Sequence, residues 1–505
     1  MNKNLKKFLY GALLLTGVFA CSDLEEEPWG IINPNSFYKT AADAESAIVY
    51  CYAILPEVGY YSRGYYIVTE LPTENLTQKG DAGTSNFELD ELRTTATNSN
   101  LDDMWTYIYR GISRANGVIT NVPNIAMNET TRDQIVGEAY FLRGLHYFNL
   151  VRMFGQVPLR LKVIDNPAEI PQAKASLSEV YALIIADLKQ AEELITVNKI
   201  SEGRANRVAA QGLLAKVYLH LASSKASNSP GYDFVTNADE MYAEALTYSG
   251  KVINDQDTYD FTDVLVDIWD IEVYKKSAVN EHIFDAAVDR SGDREGSFSK
   301  LPNMFLPADR PMYILANPSD EESDTINIGQ GWSHFRTEDN VYNSYEGTDK
   351  RKTDLIVSKY WNDGAEYTLD INSSSRPFTR KFIDPKRIGD ASSCNSPIVR
   401  YSDILLIYAE ANGPNAEGYD AINKIRARAD VGDLAPGLDV TAFRKAVIEE
   451  RARELTFEGD RLFDLRRTNT MEEILVIKYG KTITSGAYFF PVPQREIDTN
   501  PLMTP

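Results

Sequence analysis

VIEERARELTFEGDRLFDLRR, residues 447–467, alternates charge and apolar anchors too regularly to be loop. Of the nineteen residues from Glu449 to Arg467, six are acidic and five basic, and every basic one is Arg. Solvated helices mix in Lys freely, whereas the planar guanidinium fork suits fixed, bidentate pairing with carboxylates. Glu449 and Arg453 stand four apart in the favourable acid-first order. Val447, Leu455, Phe457, Leu462 and Phe463 supply apolar anchors, and Gly459 with Asp460 reads as a break followed by a new N-cap. Two readings stay open on spacing alone: a charged surface helix, or an Arg–carboxylate lattice that locks a C-terminal helix onto its domain.

Helical periodicity recurs on both sides of a long aperiodic middle. Residues 41–55 follow the cap-like Lys39-Thr40, and 101–122 places Trp105, Ile108, Ile112 and Ile119 on related faces. Thr131 to Gln134 has the T-x-x-Q form of a capping box, and Ile135, Ala139, Leu142, His146 and Leu150 follow at helical intervals up to Gly155. Ser176 to Glu179 is a second box. Asn206 opens a further helix, and 239–253 adds another with Tyr242, Ala245 and Leu246. Residues 255–400 change character: Gly, Pro, Ser and aromatics dominate, 282–286 reads as a short strand, and 302–361 reads mostly as loop. Helix resumes at 399–411, 419–429 and 440–467. Paired amphipathic helices suggest tetratricopeptide-like hairpins, each burying a face against its neighbour, although no 34-residue period is visible.

At 505 residues, 43% apolar and 25% charged, the chain can bury a large core. Its formal charge of −21 argues against nucleic acid or an anionic membrane as electrostatic partner. The first twenty residues are a separate object: Lys3, Lys6 and Lys7 precede a short apolar run that ends at Ala20-Cys21, which is a secretory leader and too short to span a membrane. Its removal takes away three lysines and no acids, moving the charge from −21 to −24. The small residues before Cys21 resemble a lipobox, which makes Cys21 the lipidation site; the alternative is ordinary cleavage after Ala20. Of the remaining cysteines, Cys51 lies in an apolar run and reads as a buried thiol, and with Cys394 it makes no disulfide framework.

The 447–467 stretch resembles the C-terminal signature of the SusD/RagB family, surface lipoproteins of nutrient-uptake systems. YFFPVPQREIDTNP at 488–501 resembles that family's closing motif, and WTYIYRGISRAN at 105–116 and GEAYFLRGLHYFNLVRMFGQVPL at 137–159 are similar to its helices. Two departures are modest: Glu74-Asn75 stands where an Asp-bearing motif is expected, and Asp460 follows Gly459 where His or Asn is frequent. The resemblance implies a mainly α, tetratricopeptide-like SusD-like scaffold with a loop-rich variable insert and a few short strands. The expected organisation is a leader at 1–20, an acidic tether at 21–40 and one domain at 41–505, with scaffold at 41–254 and 399–505 and insert at 255–398. The acidic run after Cys21 resembles the surface-export signal of such lipoproteins. The implied role is capture of an oligosaccharide at the outside of the outer membrane and its delivery to a SusC-like TonB-dependent transporter. Contact with membrane would be through the lipid anchor only. The family's RagB branch leaves peptide capture open.

Catalytic motifs are absent from the sequence: no H-E-x-x-H, G-x-S-x-G or P-loop spacing occurs. His146 and His220 fall within helical patterns. A glycosidase needs only two placed carboxylates, which composition cannot discriminate. The run from Asp320 to Asp324 is either a solvated loop or a structural Ca²⁺ site, and no other cofactor is implied. Binding is better supported, because a sugar ring offers an apolar C–H face with polar edges that suits an exposed aromatic ring beside amide or charged neighbours. Aromatics at helical spacing, with Trp105 and Trp269, read as core. The glycan-binding candidates are therefore those in aperiodic segments: Tyr60, Tyr61, Tyr65 and Tyr66 in the first, and Trp332, Phe335 and Tyr342 in the second.

Overall fold

A computed structural model describes residues 37–164, 166–200, 203–255, 258–276, 280–292, 296–480, 483 and 485–503. The leader, Cys21 and most of the acidic tether lie outside these. Ten helices carry the scaffold among the described residues: α1 (Ala41–Tyr52), α2 (Ser99–Asn121), α3 (Glu129–Phe154), α4 (Leu177–Leu194), α5 (Arg207–Ala226), α6 (Ala238–Ile253), α7 (Tyr401–Asn412), α8 (Ala416–Arg428), α9 (Val440–Glu454) and α10 (Arg461–Arg467). Consecutive helices pack pairwise from α2 through α6, and α7 then packs back on α6, with α8 and α9 against α7. This is the hairpin-on-hairpin stacking of tetratricopeptide-like proteins.

Caps explain the starts. Thr40 with Asp43 and Ser176 with Glu179 form capping boxes, and the Asn206 side chain accepts from the Ala209 N–H. The expected box at Thr131 does not form. Helix α3 begins three residues earlier, its N-cap Asn128 side chain accepting from the Thr131 N–H, and Gln134 instead donates to Glu138 at 2.7 Å. Close helix approach needs glycine at one crossing: a Cβ on Gly111 of α2 would fall 2.3 Å from the His146 ring of α3. Cys51 and Cys394 are both free and buried.

The stretch at 447–467 is the lattice rather than the surface helix. Arg451 meets Asp403 at 2.6 Å and Asp464 at 3.1 Å, and Arg467 meets Asp464 at 2.8 Å and both oxygens of Glu410. Glu454 receives Arg428 at 2.7 Å and Arg400 at 3.1 Å. All of these side chains are buried. Burial alone would raise the Glu454 carboxyl, but Arg428, Arg400, Arg351 and Lys381 hold it well below the usual range. Two details differ from the spacing argument. Arg453 turns to Glu450, at 4.0 Å, rather than to exposed Glu449. Asp460 precedes α10 without capping it, its carboxylate lying 3.1 Å from Lys216 of α5.

The middle of the chain holds more strand than composition suggested. The strands are β1 (Leu76–Gln78), β2 (His282–Ala286), β3 (Met312–Leu315), β4 (Thr325–Gly329), β5 (Phe335–Thr337), β6 (Ile356–Val357), β7 (Lys359–Asn362), β8 (Ala365–Thr368), β9 (Phe378–Thr379) and β10 (Ser396–Arg400). The stretch 302–361, expected to be mostly loop, instead contributes three strands to an antiparallel sheet of order β4-β3-β7-β8. Its inner face packs Met312, Ile314, Ile328 and Tyr360 onto Leu306, Leu369, Phe378 and Ile383. Short alternating segments of two to five residues are too brief to stand out from aromatic-rich loop, which is why periodicity missed them.

Candidate functional site

The two aperiodic segments chosen from sequence do meet. β1 pairs antiparallel with β5, Leu76 opposite Thr337 and Gln78 opposite Phe335, and the Lys79 N–H donates to the His334 carbonyl at 3.3 Å. The individual rings, however, divide sharply.

Tyr60, Tyr61, Tyr65 and Tyr66 are core. Their exposures are 0%, 3%, 5% and 1%, so none offers a ring face to a sugar. Asn149 of α3 donates to both the Tyr60 and Tyr61 hydroxyls, at 2.8 and 2.7 Å, and Tyr61 stacks on Tyr65 with centroids 4.5 Å apart. Burial pushes all four hydroxyls well above the ordinary tyrosine value. The physical reason is a short helix, Gly64–Glu70, every residue of which is buried, threaded against α2 and α10. Tyrosine hydroxyls satisfied inside a polar core look the same in sequence as a surface platform. Phe335 is likewise buried, edge-on to Phe305 with centroids 5.1 Å apart.

Trp332 and Tyr342 keep partial exposure. Trp332 stands 5.7 Å from His334 and 6.0 Å from the Lys300 ammonium, and the Lys352 ammonium lies 4.4 Å over Tyr342. No ring contact joins Trp332 to Tyr342 among the described residues. Beside Trp332, His334 is held below its ordinary value by burial and then by Lys79 and Arg63. Gln78 is 5% exposed, and neither polar atom of its amide has a partner.

The aromatic pair that sequence reasoning passed over lies on the four-stranded sheet. Because Met312, Ile314 and Tyr360 face the core, Tyr313 and Trp361 point outward. They stand directly opposite each other across β3 and β7, with Asn327 opposite Tyr313 and Glu366 opposite Trp361. Tyr313 is 37% exposed, Trp361 is half-buried, and Asn327 and Glu366 are exposed. The arrangement is two adjacent rings with an amide on one side and a carboxylate on the other. The signal in sequence is alternation, Met-Tyr-Ile-Leu and Lys-Tyr-Trp-Asn, legible only once the register is known.

Among the described residues no group of three or more His, Cys, Asp or Glu gathers as a metal site. Asp320, Glu321, Glu322 and Asp324 are exposed, and Asp320 accepts from the Glu322 N–H at 3.0 Å as a turn. His146 is buried, with its ring held down to about 3 by burial and Arg114, and His220 bonds Tyr232 at 2.8 Å. His282 pairs with Asp285 at 2.9 Å. No helix among the described residues is long and apolar enough to cross a membrane.

By architecture this is a tetratricopeptide-like scaffold that presents a sheet-bearing insert. Two family descriptions match it: "Starch-binding associating with outer membrane" over residues 33–219 and "SusD family" over 280–505. The chain belongs to the SusD/RagB family. It is 28% identical to SusD-like protein P2 of Formosa agariphila, over 99% of this chain and 98% of that one. It is 24% identical to the starch-binding protein SusD of Bacteroides thetaiotaomicron, over 97% and 96%. Its fold is similar to that of surface glycan-binding protein A of Bacteroides thetaiotaomicron, solved in complex with laminarihexaose: TM-score 0.71, 22% identity, covering 91% of this chain and 98% of that one.

Proposed function

We propose that this protein is a cell-surface glycan-binding lipoprotein, anchored through Cys21, that captures an oligosaccharide without cleaving it and passes it to a partner SusC-like TonB-dependent transporter in the outer membrane. The observation that carries the reading is the outward pair Tyr313 and Trp361, flanked by Asn327 and Glu366, on the insert of a SusD-family scaffold. Ring faces stack on sugar C–H surfaces while the amide and carboxylate bond hydroxyl edges. Trp332 with its neighbours Lys300 and His334 is the second candidate surface, and Tyr342 the third. Relatives whose names record starch or laminarihexaose binding support the substrate class. Tetratricopeptide-like surfaces also serve protein partners, in keeping with a transporter interface.

The test is a glycan-array screen of the protein lacking its leader, with every bound glycan re-examined for shortened products. A glycan bound and recovered intact is the expected result. Recovery of cleaved glycan would make it a hydrolase, and retention of peptides with no glycan would move it to the RagB branch.

A further inference from the structure

A cavity of about 420 Å³ opens well away in sequence from the insert, between α2, the loop after α3 and the C-terminal helix Gln494–Thr499. Its wall carries Trp105, Tyr109 and Ile164, with the Trp105 and Tyr109 centroids 5.0 Å apart. Around that apolar patch stand four basic side chains, Arg110, Arg160, Lys162 and Arg495, against one acid, Glu496. In a chain of formal charge −21 this is an inversion of local sign.

The cations are not all consumed by the fold. Lys162 pairs with Glu169 at 2.7 Å and Arg495 with Asp102 at 3.0 Å. Arg160 gives its guanidinium to two backbone carbonyls, Glu169 at 3.0 Å and Ile170, so it is fixed in place with its charge uncompensated. Arg110 is exposed and makes no ion pair among the described residues; its guanidinium lies 5.4 Å from the Tyr107 ring. A preorganised guanidinium with free charge beside an aromatic wall suits a ligand that is apolar on one face and anionic at one edge.

We propose that this cavity is a second saccharide subsite, selective for a sugar bearing an anionic group, either a uronate carboxylate or a sulfate ester. The proposal rests on the glycan-capture reading and adds a charge preference that neutral glycans lack. Arg160 would orient the anion, Arg110 and Arg495 would close on it from the rim, and half-buried Tyr109, backed by the buried Trp105, would take the ring.

The test is calorimetric titration of the protein with an oligogalacturonide, a sulfated galactan oligosaccharide, neutral laminarihexaose and sodium sulfate. The double variant Arg110→Gln/Arg495→Gln and the single Arg110→Glu are titrated beside it. One of the two acidic oligosaccharides should bind the native protein and lose affinity at least about tenfold in both variants, while any affinity for laminarihexaose stays unchanged. Which of the two binds tells carboxylate from sulfate. The proposal is overturned if neither acidic oligosaccharide binds, if both variants bind as tightly as the native protein, or if sodium sulfate binds as well as the sugars. Laminarihexaose bound with no acidic sugar bound would sink this subsite and leave glycan capture standing. No glycan of either kind bound would remove both.

Discussion

At the scale of single residues, charge is used here as internal architecture. Glu454 faces Arg428 and Arg400 inside the protein, and burial removes the water that would otherwise share that work. Glu454→Gln should therefore cost about 1.5–3 kcal/mol, because it takes one carboxylate from two buried guanidiniums and leaves Glu281 and Glu458 alone to balance them. Glu449→Gln, on the exposed face of the same helix, should stay within about 0.5 kcal/mol. Denaturant midpoints of the two variants check the contrast, and equal losses would contradict the lattice. Gly459 is a backbone case. Its φ is +89°, its N–H donates to Glu70 at 2.6 Å, and a Cβ there would fall 2.5 Å from the buried Tyr65 ring. Gly459→Ala should lose more than about 1 kcal/mol, read as a lowered melting temperature, with the exposed Gly80→Ala as the comparison. Arg466 carries the same theme without a carboxylate. It donates to the Arg152 carbonyl at 2.9 Å and to Ala487 at 3.1 Å beneath Phe490, which is how the closing motif is tied to the end of α3.

At the scale of elements, legibility in the sequence followed length. Helices of twelve residues or more announce themselves through 3.6-residue periodicity and side-chain caps, as Ser176 and Asn206 do. The Arg-only composition of 449–467 left a surface helix and a lattice both open, and three dimensions were needed to decide for the lattice. Strands of two to five residues carry too few alternations to register, so the sheet that presents Tyr313 and Trp361 stayed hidden while the buried tyrosines at 60–66 drew attention. A ring's environment, not its identity, decides whether it is core or platform, and the Tyr60 and Tyr61 hydroxyls, satisfied by Asn149 and His146, could be seen only in three dimensions. The matching prediction lies on the sheet. Tyr313→Ala with Trp361→Ala should reduce glycan affinity about tenfold or more and leave the helical circular dichroism unchanged, since both rings point away from the core. Unchanged affinity would shift the site to Trp332.

At the scale of the whole molecule, the buried charges set a pH profile. Burial acts to raise Glu281, Glu454, Asp403 and Asp464, yet the surrounding Arg and Lys side chains hold all four below their ordinary values. Groups so depressed contribute stability above the unfolded values of 3.8 and 4.5, and that contribution is lost as pH falls through the lower folded values. Glu70 runs the other way. Burial raises it to about 8 against the donors Asn75 and Gly459, so its contribution is present below 4.5 and fades as pH rises through about 8. Chemical denaturation across pH should show a steep loss below about pH 4 and a gentle decline from about pH 5 to 8, and Glu70→Gln should flatten only the second. A flat acid limb would contradict the lattice as a major term.

The seam between α6 and α7 also dictates an order of events in the life of the chain. Helix α6 ends at Ile253 and its partner begins only at Tyr401. Glu281 waits for Arg400, Arg428 and Ser402, and the Gly64–Glu70 turn waits for Gly459. A polypeptide emerging from ribosome or translocon thus exposes an unfinished helical face and uncompensated charge until its last hundred residues arrive. The fold therefore closes only once those last residues are in place.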